Sequence, residues 1–496
     1  MFYKSIKTNN MKKPTPLFLF ATLLLLYLNT YAQDGQLDTT FHVGTGIPLS
    51  QSVPNIAFQS DNKIIISGYY TTYNGKPNYG IARLNTDGTL DTTFKIKFAK
   101  QSGNNGTAVV VQPDGKIIVC GDSVDKKYTN NSLVNYVARV HPDGTIDTSF
   151  HAGSTDDCIN CQSITKAALQ ADGKVIIVGD FNYYNGNYAP GIARLNANGS
   201  FDPTFKVGAG VDDELFGVKI QNDGKILIGG RFRHYNNTAR NKIVRLNTDG
   251  SLDPTFNIGT GAIGANDNAL VADIIIQKDQ KIVIGGSFTS YNGVSRNAIA
   301  RLNTDGSLDT TFYVGTGSNT GWFSTSMQHD GKFIIGGGFT SYNGTAVNQI
   351  ARLNTDGSLD PTFKPGTGPN AYISTTAIQN DGKVIINGGF TSYNGTNITR
   401  LARINYTSII TGNVDENVQE ESSLHIFPNP NNGEFTIQYQ KEESFGLINS
   451  LGQTVKTLHF TPGQDNRVNI SSMGNGTYML KSNSNPQLNY RILVTK

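Results

Sequence analysis

A five-residue phrase, Leu-Asp-Thr-Thr-Phe and its variants, recurs along the chain with its Phe at 41, 94, 150, 205, 256, 312 and 363. Self-similarity at a period of about 54 residues implies an array of like supersecondary units, none able to bury its apolar face alone. Between the phrases lies a fixed series of pieces. An apolar strand ends in Gln and a turn, as in Val109-Val110-Val111-Gln112-Pro113-Asp114-Gly115-Lys116. A β-branched run closed by Gly follows, such as Ile226-Leu227-Ile228-Gly229-Gly230, then a Tyr-Asn-Gly loop, as at Tyr291-Asn292-Gly293. The unit ends with Ala-Arg-Leu-Asn, a Thr-Asp-Gly turn and the next Leu-Asp phrase.

Short β-branched runs separated by Asp-Gly and Asn-Gly turns read as antiparallel hairpins. Each unit therefore reads as four strands, here called A (the Gln strand), B (Ile/Val-Gly-Gly), C (Ala-Arg-Leu-Asn) and D (Leu-Asp-x-Thr-Phe). Four-stranded units around an axis make a β-propeller, whereas a solenoid ends in atypical capping repeats. The array opens at Asp34 with strand D alone and finishes at Arg403-Ile404-Asn405 with strand C and no D after it. Joined, the two fragments complete one blade. The expectation is an all-β chain: a seven-bladed β-propeller over 33–405, then a small C-terminal β-sandwich.

The phrase Asp-Gly-Ser-Leu-Asp-x-Thr-Phe, most complete at Asp249 to Phe256, Asp305 to Phe312 and Asp356 to Phe363, resembles the Delta-60 repeat family of exported bacterial proteins. That resemblance implies a β-propeller and no activity. It covers about residues 34–405.

Two further segments flank the array. Residues 1–32 carry Lys4, Lys7, Lys12 and Lys13, then an apolar run from Leu17 to Leu28, then Thr30-Tyr31-Ala32. The run is shorter than the roughly 20 residues of a membrane span and reads as a cleaved secretory signal. Its removal moves the formal charge from +3 to −1. A near-neutral chain has no electrostatic footprint for nucleic acid. At the other end, 406–423 is an acidic linker with Asp415, Glu416, Glu420 and Glu421, and alternating runs resume over 424–496.

This tail resembles the type A C-terminal sorting domain of the type IX secretion system of Bacteroidota. The residues carrying the likeness are Pro428, Asn429, Pro430 and Gly433, then Ile448 to Gly452, then Ile470 to Met473 leading to Gly476 and Tyr478, and the terminal Lys496. Asn469 departs mildly from the Asp that members often carry before Leu-Ser. The resemblance implies the type IX machinery as a partner, a surface or extracellular location and, in many members, removal of the tail and attachment to lipopolysaccharide.

The repeat absorbs most residues that look catalytic. Arg83 and Asp91 face each other across the C–D hairpin, as do Arg245/Asp253, Arg301/Asp309 and Arg352/Asp360, and such pairs stabilise sheets. Asp114/Lys116, Asp223/Lys225 and Asp330/Lys332 flank the A–B turn, where Asp bonds its own backbone. Asn303 to Asp309 spaces oxygen side chains like part of a calcium loop but lacks the closing Glu. We read it as an Asx turn, with calcium as the lesser alternative and no other metal or cofactor expected. The Gly-Thr-Gly pieces, such as Gly259-Thr260-Gly261, read as blade connections. Metalloprotease, nucleophile-elbow and P-loop motifs do not occur. Cys158 and Cys161 suit a local clip or free thiols, and Cys120 is left over.

Variation is confined to the face carrying the B–C loops and the D-to-A crossings, where binding on a rigid scaffold belongs. The candidates are Asp156 and Asp157 in one crossing, Asp212, Asp213 and Glu214 in the next, and Trp322 and Tyr372 in others, with Arg231 and Arg233 on a B–C loop. Paired carboxylates bind cations, accept sugar hydroxyls or work as acid and base, and the aromatics can stack on a sugar. A solvated acidic rim, a basic loop and a Trp packed between blades account for the same residues. The expected function is a non-catalytic glycan- or protein-binding module. The alternatives are a polysaccharide-degrading enzyme at these carboxylates and a structural surface protein.

Overall fold

The computed structural model describes residues 33–49, 51–96, 108–122, 135–151, 153–155, 164–265, 268–321, 323–406, 425–427, 433–438, 443–449, 453–461, 465–474, 476–482 and 489–494. Two units divide the chain, Met1–Ser408 and Ile409–Lys496.

The first unit is a ring of seven antiparallel sheets. In blade 4, strands A (Leu215–Ile220), B (Ile226–Gly230) and C (Ile243–Leu246) pair in the order A-B-C. The other blades repeat that order, from Ser52–Phe58, Ile64–Tyr69 and Ile81–Leu84 in blade 1 to Ile373–Ile378, Val384–Gly388 and Leu401–Ile404 in blade 7. Strand B opens on an apolar β-branched run because neighbouring blades cover both of its faces, and Ile226–Gly230 is buried at every residue. Its glycines let backbones close up: a Cβ on Gly230 would stand 2.2 Å from the Glu214 carbonyl oxygen.

Two details differ from the four-strand reading. Strand D is reduced to a single bridge, as between Leu84 and Leu90 or Leu246 and Leu252. The Asp of the phrase takes over at that point. Asp253 Oδ1 accepts bonds from Thr255 N at 2.9 Å and Thr255 Oγ1 at 2.7 Å, bending the chain into a turn instead of extending the ladder. Conversely, the Tyr-Asn-Gly loop is itself a two-stranded hairpin. In blade 1, Thr72–Tyr73 pairs with Lys76–Pro77 around Asn74 and Gly75, at φ +47° and +71°, the left-handed pair that a tight hairpin turn requires. Among the described residues the Tyr of each such hairpin is fully buried. Tyr235 Oη donates to the Gly250 carbonyl at 2.6 Å, and Tyr73, Tyr291 and Tyr342 repeat the bond in their own blades.

One polar cluster per blade ties the A–B turn, C and D together. In blade 4, Asp253 Oδ2 accepts from Arg245 Nε at 2.7 Å and from Lys225 Nζ at 2.9 Å, while the guanidinium lies 4.7 Å from the centre of the Phe256 ring. The Arg–Asp pairing agrees with the sequence reading, and Lys225, read there as a turn residue, is its third member. Arg245 Nη1 also donates to the Thr304 carbonyl of blade 5, so each cluster reaches the next blade.

Closure follows the same wiring. Leu37 bridges Ile404, and Asp38 N donates to the Arg403 carbonyl at 2.7 Å. Asp38 stands in for the missing D residue of blade 7, bound to Arg403 Nε at 2.7 Å and Lys383 Nζ at 2.8 Å. The ring is therefore closed by the two ends of the array, as their fragments implied.

The second unit is a β-sandwich. One sheet holds His425–Phe427, Glu434–Gln438 and Asp465–Asn469; the other orders Thr454–Phe460, Glu443–Ile448, Gly476–Ser482 and Asn489–Val494. Phe435, Ile437, Phe445, Leu447, Leu480 and Ile492 pack between them. Gly433, at φ +101°, passes so close to Ser471 that a Cβ would lie 2.7 Å from its Cα. Tyr478 Oη donates to the Gly474 carbonyl at 3.0 Å. Pro428, Asn429, Pro430, Gly452 and Lys496 lie outside the described residues, as do the signal segment 1–32 and most of the linker.

Candidate functional site

On the variable face, the crossings and the B–C hairpins are laced together by a repeated set of bonds. Each Gly-Thr-Gly turn wraps the Asn of a hairpin: Asn343 Oδ1 accepts from Thr316 N at 3.2 Å, and a Cβ on Gly315 would fall 1.7 Å from that oxygen. The glycines are thus connections, with their backbone donors directed into the blade. Two residues further on, a second side chain fastens the crossing. Asn319 Oδ1 accepts from Thr340 N and Ser341 N, and Asn370 Oδ1 from Thr391 N and Ser392 N.

Asp212 occupies that same position. Its Oδ1 accepts from Arg233 N at 2.8 Å and His234 N at 2.9 Å, and its Oδ2 lies 2.7 Å from His234 Nδ1. Burial acts to raise the Asp212 pKa, but the bonds from His234 and Arg233 prevail and hold it below the ordinary value. Asp213 Oδ1 accepts from Glu214 N at 2.8 Å, and Glu214 Oε2 is 3.3 Å from Arg231 Nη1. The acidic crossing and the basic B–C loop of blade 4 therefore meet and partner each other. Beneath them sits Lys242, 2% exposed, whose Nζ donates to the Arg231 carbonyl at 2.8 Å. Burial pushes its pKa down, and Arg233 and Arg231 add to the fall against Asp213 and Asp212. Lys242 escaped the sequence reading because other blades put Ala298, Gln349 or Arg400 there, all at positive φ.

Tyr372 has different surroundings. Its side chain is 51% exposed, and its ring lies over Gly389, where a Cβ would stand 2.5 Å from Cε1 and 2.9 Å from Cζ. The corresponding strand-B position holds Tyr69, Asp180, Arg231 and Ser287 in blades 1, 3, 4 and 5, and Gly338 and Gly389 in blades 6 and 7. Glycine is what lets the ring lie down there. Blade 1 adjoins this place: Val53 N donates to Asn387 Oδ1 at 3.2 Å, and Arg400 Nη1 to the Gln51 carbonyl at 2.6 Å. Exposed on that blade are Tyr69 and Leu49, at 38% and 59%. Blade 3 exposes a further aromatic pair, Tyr183 and Tyr188, with ring centres 5.4 Å apart and edge to face. Sequence reasoning passed over Tyr69, Tyr183 and Tyr188; the available signal was a Tyr at positions where the other described blades carry no aromatic residue apart from His234.

A cavity of about 300 Å³ opens on the same face between blades 5 and 6, bounded by Phe288, Asn297, Asn319 and Gly321 among others. Asp156, Asp157, Cys158, Cys161 and Trp322 lie outside the described residues. Among the described residues no group of three or more His, Cys, Asp or Glu side chains is arranged to hold a metal ion. In the loop resembling a calcium site, Asp305 Oδ1 accepts from Ser307 N and Oγ, and Asp309 binds Arg301 and Lys281.

These features define a seven-bladed β-propeller protein with a separate C-terminal β-sandwich unit. Residues 59–94, 112–150, 170–205, 221–256, 277–312, 328–363 and 379–405 match the β-propeller domain of unknown function DUF5122, and 425–495 match the secretion system C-terminal sorting domain. The chain belongs to the DUF5122 β-propeller family, and its tail directs it to type IX secretion and to a cell-surface or extracellular location. No curated protein matches it.

Solved structures similar to it include the extracellular domain of a one-component system from B. thetaiotaomicron. That likeness has 11% identity and a TM-score of 0.45, covering 88% of this chain and 48% of that one. This chain thus spans about half the length of that protein. Others are virginiamycin B lyase from Staphylococcus aureus (10% identity, TM-score 0.28, 90% and 96% covered) and an α-L-arabinofuranosidase from Fusarium graminearum (12%, 0.35, 75% and 97%). Activities do not carry over at that distance.

Proposed function

We propose that the protein is a non-catalytic surface or secreted module that binds a glycan on the variable face, centred on Tyr372. The observation carrying this reading is a half-exposed ring laid over Gly389. A ring immobilised before binding loses little conformational freedom on meeting a flat sugar face, and Tyr joins an apolar face to a polar tip. Tyr69 and Leu49 extend the apolar surface onto blade 1, and Asp213, Glu214, Arg231 and Arg233 offer polar groups for sugar hydroxyls on blade 4. Asp212 is assigned to holding the crossing, since both of its oxygens serve Arg233 and His234. Export begins with the segment 1–32 as a signal, and the tail is removed before attachment to lipopolysaccharide.

The test is binding of the full chain to an array of bacterial and plant polysaccharides. The expected result is a hit whose affinity falls about tenfold in Tyr372→Ala, the scale of one lost aromatic anchor. Gly389→Val, which displaces the ring, weakens it likewise. No hit, or equal binding by wild type and Tyr372→Ala, overturns the assignment.

A further inference from the structure

The central channel is bounded by the innermost strands A, and one register position varies from blade to blade. Paired with Ser67, Val178, Gly229, Gly285, Gly336 and Asn387 of strand B, it holds Asn55, Lys166, Gly217, Asp273, Ser324 and Thr375. Lys166 Nζ of blade 3 donates to Asn55 Oδ1 of blade 1 at 2.7 Å, so this bond joins blades that are not neighbours. Burial pushes the Lys166 pKa down, Asp273 of blade 5 opposes the fall, and Lys219 of blade 4 adds to it. Asp273 is already engaged, accepting from Ile274 N and from Thr325 N, each at 2.9 Å.

Toward the A–B turns, away from the variable face, the ends of strands A in blades 4 to 7 bound a cavity of about 660 Å³. Its polar lining includes Lys219, Lys278, Gln277, Thr325 and Ser326, and none of its lining residues is acidic. Lys219 is exposed, and Lys278 Nζ spends one donor on the His329 carbonyl at 3.1 Å. Thr325 is 7% exposed, and its hydroxyl has no hydrogen-bond partner among the described residues. Repeat chemistry accounts for neither lysine: Lys219 stands where blades 5 and 6 have Ile275 and Ser326, and Lys278 where blade 4 has Asn222.

We propose that this cavity is a binding site for a small ligand bearing a carboxylate or phosphate, with Lys219 as its charge partner. The volume suits a small-molecule site. Two lining ammonium groups outweigh the adjacent carboxylate of Asp273, which is engaged by the Ile274 and Thr325 amides, and low-dielectric walls concentrate the resulting positive field. An oxyanion there gains charge-assisted bonds from Lys219 and Lys278, which are stronger than neutral ones, and takes up the idle hydroxyl of Thr325.

Calorimetric titration of the full chain at low ionic strength tests the proposal, with inorganic phosphate and glucuronate as separate probes. Binding of at least one is expected, weakened about tenfold or more in Lys219→Ala, less in Thr325→Val, and retained in Lys219→Arg. Phosphate alone identifies a phosphate ligand, and glucuronate alone a sugar acid. Because Lys219 is exposed, its variants should melt with the wild type. Tyr372→Ala should leave this binding unchanged, which separates failure here from failure of the glycan reading. Silence with both probes, or equal affinity in wild type and Lys219→Ala, overturns the site.

Discussion

Asp38 accepts a 2.7 Å bond from Arg403 Nε, although 365 residues separate them. In six blades the equivalent Asp and Arg lie eight residues apart on one hairpin, as in Arg245 and Asp253. Only in blade 7 does the pair join the two ends of the array. Removing one partner of a buried ion pair costs about 3–5 kcal/mol, because the other charge is left uncompensated. Asp38→Ala should therefore lower stability toward chemical denaturation by roughly that amount. Asp253→Ala should cost a similar amount, but only Asp38→Ala should speed amide exchange over Leu401–Ile404 relative to the other strands C. Equal exchange in the two variants would show that the ring is not held by this pair.

Acid should weaken all seven clusters together. For Asp91 and Asp253, burial acts to raise the pKa, but hydrogen bonds from Lys and Thr and the Arg charge hold it well below the ordinary 3.8; Asp38, Asp147, Asp202, Asp309 and Asp360 behave alike. A carboxyl depressed in the folded state contributes its full stability above the unfolded value of about 3.9 and loses it as pH falls through the folded value. Denaturant midpoints should thus respond little to these groups from pH 7 to about 4 and fall steeply below. Asp253→Asn should be less stable at pH 7 with a shallower acid limb. An unchanged acid limb would argue against the clusters.

Cys120 is fully buried and its thiol is pushed up to about 12 by burial, so the nucleophilic thiolate is scarce near neutral pH. Alkylation of the native chain at pH 8 should leave Cys120 unmodified, and denaturation should expose it. Mass spectrometry of the digested protein reads this directly. Rapid native labelling would mean that blade 2 opens readily.

Much of the propeller was legible because its cues are local and repeated. A Gly after Asp in a turn, an apolar run wedged between blades and an Arg eight residues before an Asp each announce themselves within one hairpin. The Lys of each cluster was not legible: Lys225 and Asp253 are 28 residues apart and meet only when the A–B turn packs against the C–D hairpin. Asp212 looked like a free carboxylate because the hairpin amides that engage it lie 21 and 22 residues away.

The repeat, the number of blades and the way the ends must combine followed from periodicity and short-range turn chemistry, and the sorting tail from its motifs' resemblance to a known family. Which polar groups are engaged and which stay exposed was settled only by the tertiary structure. It turned Asp212 into a fastener, laid Tyr372 over a glycine and left Lys219 facing a cavity with no acid in its lining. The physical reason is that hydrogen-bond satisfaction and exposure depend on neighbours from other blades, and their approach is set by the closure of the ring.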